Sequence, residues 1–163
     1  MNQDVLSKIV ENNKGLISQG AVATYIPELA KVSKDYLGAV IAFPDGTMLS
    51  AGDTKVRFAI ESISKTVVLA LALLDNGEEE VFKHVHKEPS GDAFNSIKKL
   101  ETEPDHLPRN PFINAGAIMT ASLIKGKDPE DKFNRILEFM KKISEDDSLE
   151  LATDIYLSEK ATG

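Results

Sequence analysis

Residues 66–74 form an apolar run that no charged side chain interrupts. Glu61-Ser62-Ile63-Ser64-Lys65 stands before it, and Asp75-Asn76-Gly77, a typical helix stop, follows. The run reads as a helix over 62–74. A helix apolar on all faces is stable only when other elements surround it. The chain therefore has to fold its remaining segments around this one, and whatever stands at its head is held against a core.

The segments available are few in strands and rich in helices. Residues 37–43 contain Val40, Ile41 and Phe43; Pro44-Asp45-Gly46 is a turn signal, and 47–51 alternates again. This predicts a β-hairpin over 37–51. Gly52-Asp53-Thr54 reads as a further turn, and 56–60 as a short extended segment. Elsewhere the spacing is helical. Val5, Ile9 and Val10 mark a short amphipathic helix stopped at Asn12-Asn13-Lys14-Gly15. A second short helix is expected over 27–32 with Pro27 in its first turn. Helices are also expected over 78–85, 114–124, 129–143 and 149–160. Between them, 87–111 is a long irregular stretch, and such loops in a folded domain are often functional. A hairpin followed by segregated helices indicates an α+β architecture. Two or three strands make a poor sheet alone, so the sheet looks incomplete.

Composition narrows the function. The 163 residues suit one domain or a large part of one. With 42% hydrophobic residues the chain reads as an ordinary globular protein. Its net charge of -7 gives no counterion-release advantage on nucleic acid, and no basic cluster suits a membrane surface. There is no cysteine, which excludes disulfides, thiolate metal sites and cysteine nucleophiles. His84, His86 and His106 do not make a credible metal site, because His84 and His86, two apart, fall on different helix faces. No signal-peptide core precedes residue 12, and 66–74 is too short to span a bilayer. A cytoplasmic location is expected.

Ser62-Ile63-Ser64-Lys65 is an S-x-x-K pattern. Residues three apart on a helix share a face, so the Lys65 amine can reach the Ser62 hydroxyl. A serine hydroxyl is a poor nucleophile until a base takes its proton. The N–H groups at a helix start suit a developing oxyanion. Serine enzymes of the penicillin-recognising class use this arrangement. The pattern alone fits equally an N-cap serine, Ser62 or Ser64, with a solvated lysine one turn on.

Longer motifs add to it. Gly52-Asp53-Thr54, Glu61 to Lys65, Glu88-Pro89-Ser90-Gly91-Asp92-Ala93-Phe94-Asn95-Ser96 and Asn110-Pro111-Phe112-Ile113-Asn114-Ala115-Gly116-Ala117-Ile118 occur in that order. Tyr25-Ile26-Pro27-Glu28-Leu29-Ala30-Lys31 and Ser158-Glu159-Lys160 flank them. Over about residues 25–163 the sequence resembles the serine-dependent glutaminases. The resemblance implies a β-lactamase/transpeptidase-like fold, with a sheet flanked by helices and a helical subdomain, incomplete in this chain. It implies a single domain of which 1–163 is the N-terminal part: hairpin 37–51, catalytic helix 62–74, helical subdomain 78–163. It implies hydrolysis of L-glutamine to L-glutamate and ammonia, with no cofactor and no metal, by a homo-oligomer.

Residue by residue, Ser62 matches the family's nucleophile and Lys65 its general base. Tyr25 matches a tyrosine lining the substrate pocket, Asn114 a substrate-binding asparagine, and Glu159 the carboxylate that holds the substrate's α-ammonium. Each has a plainer reading. Tyr25 could be a packing anchor, Asn114 the N-cap of the helix that follows, and Glu159 a solvated charge. The departures are Glu61, where the family usually has glutamine, and His86, where glycine is common. A carboxylate at 61 could pair with Lys65 and so oppose its work as a base. The family pattern continues past Gly163 with further substrate residues, a Lys-Ser-Gly strand motif and the rest of the sheet. Residues 1–163 alone are therefore expected to turn over glutamine poorly and to associate through an open strand edge. The alternatives are an inactive glutaminase-like fragment acting by association, and another S-x-x-K acylase.

Overall fold

Along the chain, the computed structural model places helix α1 (Gln3–Asn13), strands β1 (Gly38–Ala42) and β2 (Met48–Gly52), and helices α2 (Ser64–Asn76), α3 (Glu78–Val81), α4 (Asn114–Ser122), α5 (Pro129–Ser144) and α6 (Thr153–Thr162). It describes residues 1–91, 93, 95 and 105–162. These form two units, Met1–Ala59 with Leu151–Gly163, and Ile60–Glu150. The grouping differs from the expected helical subdomain 78–163, because α6 is counted with the first unit.

In the first unit, Asn2 caps α1 by accepting from the Val5 amide (3.0 Å). Leu6 and Val10, one turn apart, are its buried face. The stop at Asn13 falls where the sequence put it, but a 3-10 helix, Lys14–Gln19, continues the chain there. β1 and β2 pair antiparallel, with Val40 opposite Ser50 and Ala42 opposite Met48. The Phe43 amide donates to the Thr47 carbonyl (2.9 Å), and Gly46 adopts a φ of +84° that closes the turn. Gly52 was expected in a turn and instead ends β2. Its φ is +74°, and an added Cβ would lie 2.1 Å from the Leu37 carbonyl oxygen, so only glycine fits. α1 packs on β2, and Gln3 Nε2 donates to the Ser50 carbonyl (2.8 Å).

Four expected elements shrink or shift. The helix expected over 78–85 ends at Val81, and that expected over 149–160 begins at Thr153. Residues 57–60 are irregular and form no strand, and the helix expected over 27–32 is a 3-10 turn, Leu29–Lys31. Among the described residues the sheet has two strands.

The second unit is helical. Leu71 and Ala72 of α2, Val81 and Val85 around α3, and Ile124 after α4 form its core, with Phe139 of α5 packed against it. The apolar run of α2 is not buried all round: Leu74 is 72% exposed. Burial follows the face on which α3, α4 and α5 pack. Arg135 grips Asp75 through two nitrogens (2.6 and 2.7 Å) and also donates to the Lys125 carbonyl. Lys125 N–H completes the carboxylate's partners at 2.8 Å. α5 starts with Asp128 accepting from the Asp131 amide (2.8 Å) and Pro129 in the first turn, a strong local start signal.

Candidate active site

Ser62 lies in a 3-10 turn, Glu61–Ile63, that runs directly into α2. The sequence had put it inside the α-helix, whose first residue is Ser64. The tighter turn is set by the Ile63 amide, which donates to the Ile60 carbonyl (2.9 Å). Ser64 Oγ donates back to the Glu61 carbonyl (2.7 Å), and the α2 N-cap is Ile63, with no side-chain cap. Neither serine is therefore the helix N-cap, and the plainer reading of the motif falls away. Glu61 adopts a φ of +44°, the left-handed region, which costs an L-residue about 1–2 kcal/mol. The strained residue directly precedes Ser62, whose side chain is exposed.

Lys65 is half-buried, and its ammonium has two acceptors from one segment. Nζ donates to the Phe112 carbonyl (3.0 Å) and to Asn114 Oδ1 (2.7 Å). Asn114 is the first residue of α4, and the residue before it, Ile113, is that helix's N-cap. The capping reading of Asn114 thus fails, and its side chain serves Lys65. The structure so brings together Lys65 and Asn114, with Ser62 one turn before the lysine.

The turn ahead of α4 is organised by a residue the sequence reading left without a role. Asn110 Oδ1 accepts from the amides of Phe112 (3.0 Å) and Ile113 (3.2 Å), and Nδ2 donates to the Glu88 carbonyl (2.9 Å). Gly116 packs so closely that a Cβ would lie 1.9 Å from the Asn110 carbonyl oxygen. The Asn-Pro dipeptide and the helix glycine were the available signals. Asn110, Pro111 and Phe112 also line a concavity of about 460 Å³ with Leu69, Phe82 and Pro89.

Tyr25 and Glu159 belong to the first unit. Tyr25 is 66% exposed, so it is not a packing anchor, and Glu159 is exposed on α6. The two segments are tied together, because Ser158 Oγ accepts from the Glu28 amide (3.3 Å) while Ile26 is buried. Of the 88–96 motif, Asp92, Phe94 and Ser96 lie outside the described residues. His84 contacts Glu80 (3.3 Å) and His86 contacts Asp105 (2.7 Å), and both are partly exposed. Hydrogen bonds from the Leu107 amide and then from His86 hold the Asp105 carboxyl below its ordinary range. Among the described residues no three His, Asp or Glu side chains are grouped to hold a metal.

The family model described as Glutaminase matches residues 20–163. The chain belongs to the glutaminase family. It is 53% identical over 161 residues to a glutaminase of Fusobacterium nucleatum subsp. nucleatum, covering 99% of this chain and 53% of that one. Among solved structures, the probable glutaminase ybaS superposes with a TM-score of 0.87 at 36% identity, over 99% of this chain and 53% of its own. Mglu in its glutamate form gives 0.88 at 36% identity, over 98% and 36%. The fold is thus the β-lactamase-like fold of the glutaminases, and the chain spans about half the length of the curated relatives it matches.

Proposed function

We propose that the whole protein is a glutaminase that hydrolyses the side-chain amide of L-glutamine, with Ser62 as nucleophile and Lys65 as base. The observation that carries this is the lysine's setting. Lys65 follows Ser62 by three residues at the head of a core helix, and its amine is oriented by the Phe112 carbonyl and Asn114 Oδ1. In this reading Ser62 Oγ attacks the amide carbon while Lys65 takes its proton. The Ser62 amide at the turn stabilises the oxyanion. The C–N bond then breaks, and Lys65 returns the proton to the leaving nitrogen, which departs as ammonia. Water, deprotonated by Lys65, opens the γ-glutamyl ester and releases glutamate.

Asn114, Tyr25 and Glu159 bind the substrate, Glu159 through its carboxylate on the α-ammonium. Residues 1–163 are the N-terminal part of the single domain. A cytoplasmic location and a homo-oligomeric state complete the reading, supported by the family resemblance alone.

The test is ammonia release from glutamine by the product of the whole native reading frame. Ser62→Ala and Lys65→Ala should each lower kcat by roughly a thousandfold or more, and the double variant should be little worse, as for groups that act as a unit. Ordinary turnover by Ser62→Ala would refute the mechanism.

A further inference from the structure

We infer that Asn110 is a positioning residue for Lys65: its side chain builds the turn that presents the Phe112 carbonyl and the Asn114 side chain to the lysine amine. The inference rests on the assignment of Lys65 as the base. A neutral amine has two N–H donors and one lone pair. When both donors are taken by fixed acceptors, the direction of the lone pair is fixed as well, and a base works only if that direction serves the proton it must accept. Here the two acceptors are Phe112 O at 3.0 Å and Asn114 Oδ1 at 2.7 Å, two residues apart. The orientation of Lys65 therefore depends on how the segment 110–114 is held.

That backbone is held by one side chain. Asn110 Oδ1 accepts from the amides on both sides of the Phe112 carbonyl, those of Phe112 (3.0 Å) and Ile113 (3.2 Å). These bonds set the plane of the peptide that offers its oxygen to Lys65. Asn110 Nδ2 anchors the far end to the Glu88 carbonyl (2.9 Å). The amide can take only one orientation. Flipped, its NH2 would face two N–H donors and its oxygen a carbonyl. The anchor itself is braced, since the Glu88 amide donates to the Arg109 carbonyl (3.0 Å) and the His86 amide to the Pro108 carbonyl (2.8 Å). Pro111 has no N–H and biases Asn110 to an extended conformation. From the other side Gly116 lets α4 rest on the Asn110 carbonyl.

A role in packing alone and a role in aiming Lys65 predict different things for two variants. Asn110→Ala removes the turn bonds and the anchor. Asn110→Asp keeps an oxygen for the Phe112 and Ile113 amides, but its second oxygen faces the Glu88 carbonyl where the anchoring N–H stood, so that end is repelled. Three quantities are measured: amide exchange at Phe112 and Ile113, the rate at which a small acylating reagent modifies Lys65 relative to the other lysines, and kcat and KM for the product of the whole native reading frame. Asn110→Ala should speed exchange at both amides and change Lys65 acylation about fivefold or more, the scale of a lost hydrogen bond. It should also lower kcat by up to roughly a hundredfold, with KM within about threefold. Asn110→Asp should keep slow exchange at both amides and fall between wild type and Asn110→Ala in Lys65 acylation and kcat.

Wild-type Lys65 acylation and kcat in Asn110→Ala overturn the inference, as does an Asp variant that keeps both amides protected and is still impaired as badly as Ala in Lys65 acylation. If Asn110→Ala fails to fold, the Asp variant decides: with both amides protected, partial retention of Lys65 reactivity supports the turn's role and its full loss overturns it. Ser62→Ala is run alongside. Should it keep turnover, the serine–lysine mechanism fails, while exchange and acylation still report whether Asn110 aims Lys65.

Discussion

Replacing Gly116 by alanine sets two effects of opposite sign against each other. In the interior of a helix, glycine to alanine ordinarily gains about 0.5–1 kcal/mol, because glycine loses more backbone freedom on folding. At Gly116 the new methyl would sit 1.9 Å from the Asn110 carbonyl oxygen, 2.8 Å from its carbon and 3.1 Å from Pro111 Cα. Real Cβ contacts below 3.0 Å are essentially unknown, so α4 or residues 110–111 must move by about 1 Å. The obstacle is backbone, which a rotamer change cannot clear. Overpacking of this kind costs about 1–3 kcal/mol and occasionally more, so the clash wins by about 1–2 kcal/mol. For units of this size that is a fall in Tm of about 4–16 °C, read by circular dichroism at 222 nm. Gly15→Ala is the control, since nothing lies within 4 Å of the added carbon there, and it should leave Tm level or slightly raised. The same shift would carry the Phe112 carbonyl away from Lys65, so amide exchange at Phe112 and Ile113 should rise in parallel. A Tm for Gly116→Ala at or above wild type would refute the reasoning.

Arg135→Ala should cost about 1–3 kcal/mol in urea unfolding, the price of leaving the mostly buried Asp75 carboxylate short of partners. The Arg135 hydrogen bonds hold the Asp75 pKa below 3.8 in the folded state, against the opposing effect of burial. A depressed carboxyl contributes stability that is complete above its unfolded value and is lost as pH falls through 3.8 to the lower folded value. Asp75→Asn should flatten that part of the stability–pH curve, and an unchanged acid slope would rule the pair out as its source. Ser158→Ala removes the acceptor for the Glu28 amide, so exchange at Glu28 should speed by about fivefold and KM for glutamine should rise more than kcat falls. An unaltered KM would mean that the tie does not serve the substrate side.

What the sequence told of the fold depended on how local each signal was. The hairpin was legible because Pro44-Asp45-Gly46 and two alternating runs state a turn and a register within fifteen residues. The α5 helix was legible from Asp128-Pro129 at its start and its charged and apolar faces. The elements that shortened were those without such signals. Residues 56–60 carry β-compatible side chains but no described strand pairs with them, and 27–32 closes only one 3-10 turn. The continuation Lys14–Gln19 was missed because asparagines and Gly15 read as a stop, which they are for an α-helix and not for a 3-10 one.

The site divides along the same line. Ser62, Lys65 and Asn114 were named from motifs, since side-chain identity is what a motif records. What aims the lysine is mostly backbone: the Phe112 carbonyl, two amides and the Asn110 carbonyl against Gly116. Every residue has a carbonyl and nearly every one an amide, so no residue type at 112 announces the acceptor. The traces left in the sequence are the residues that shape that backbone: an asparagine before a proline, and a glycine where alanine would suit a helix better. Such residues read as scaffold when each is taken alone. Taken with the distances they are part of the same device as Lys65, and substituting Asn110 or Gly116 should therefore disturb the lysine through that backbone. The same reasoning explains why the N-cap alternatives failed. A serine or asparagine at a helix start is an N-cap only if its side chain turns to its own helix. Ser64 turns back to the carbonyl of the strained Glu61, and Asn114 reaches instead to Lys65 on α2, forty-nine residues away. Only contacts between elements distant in sequence could decide either case.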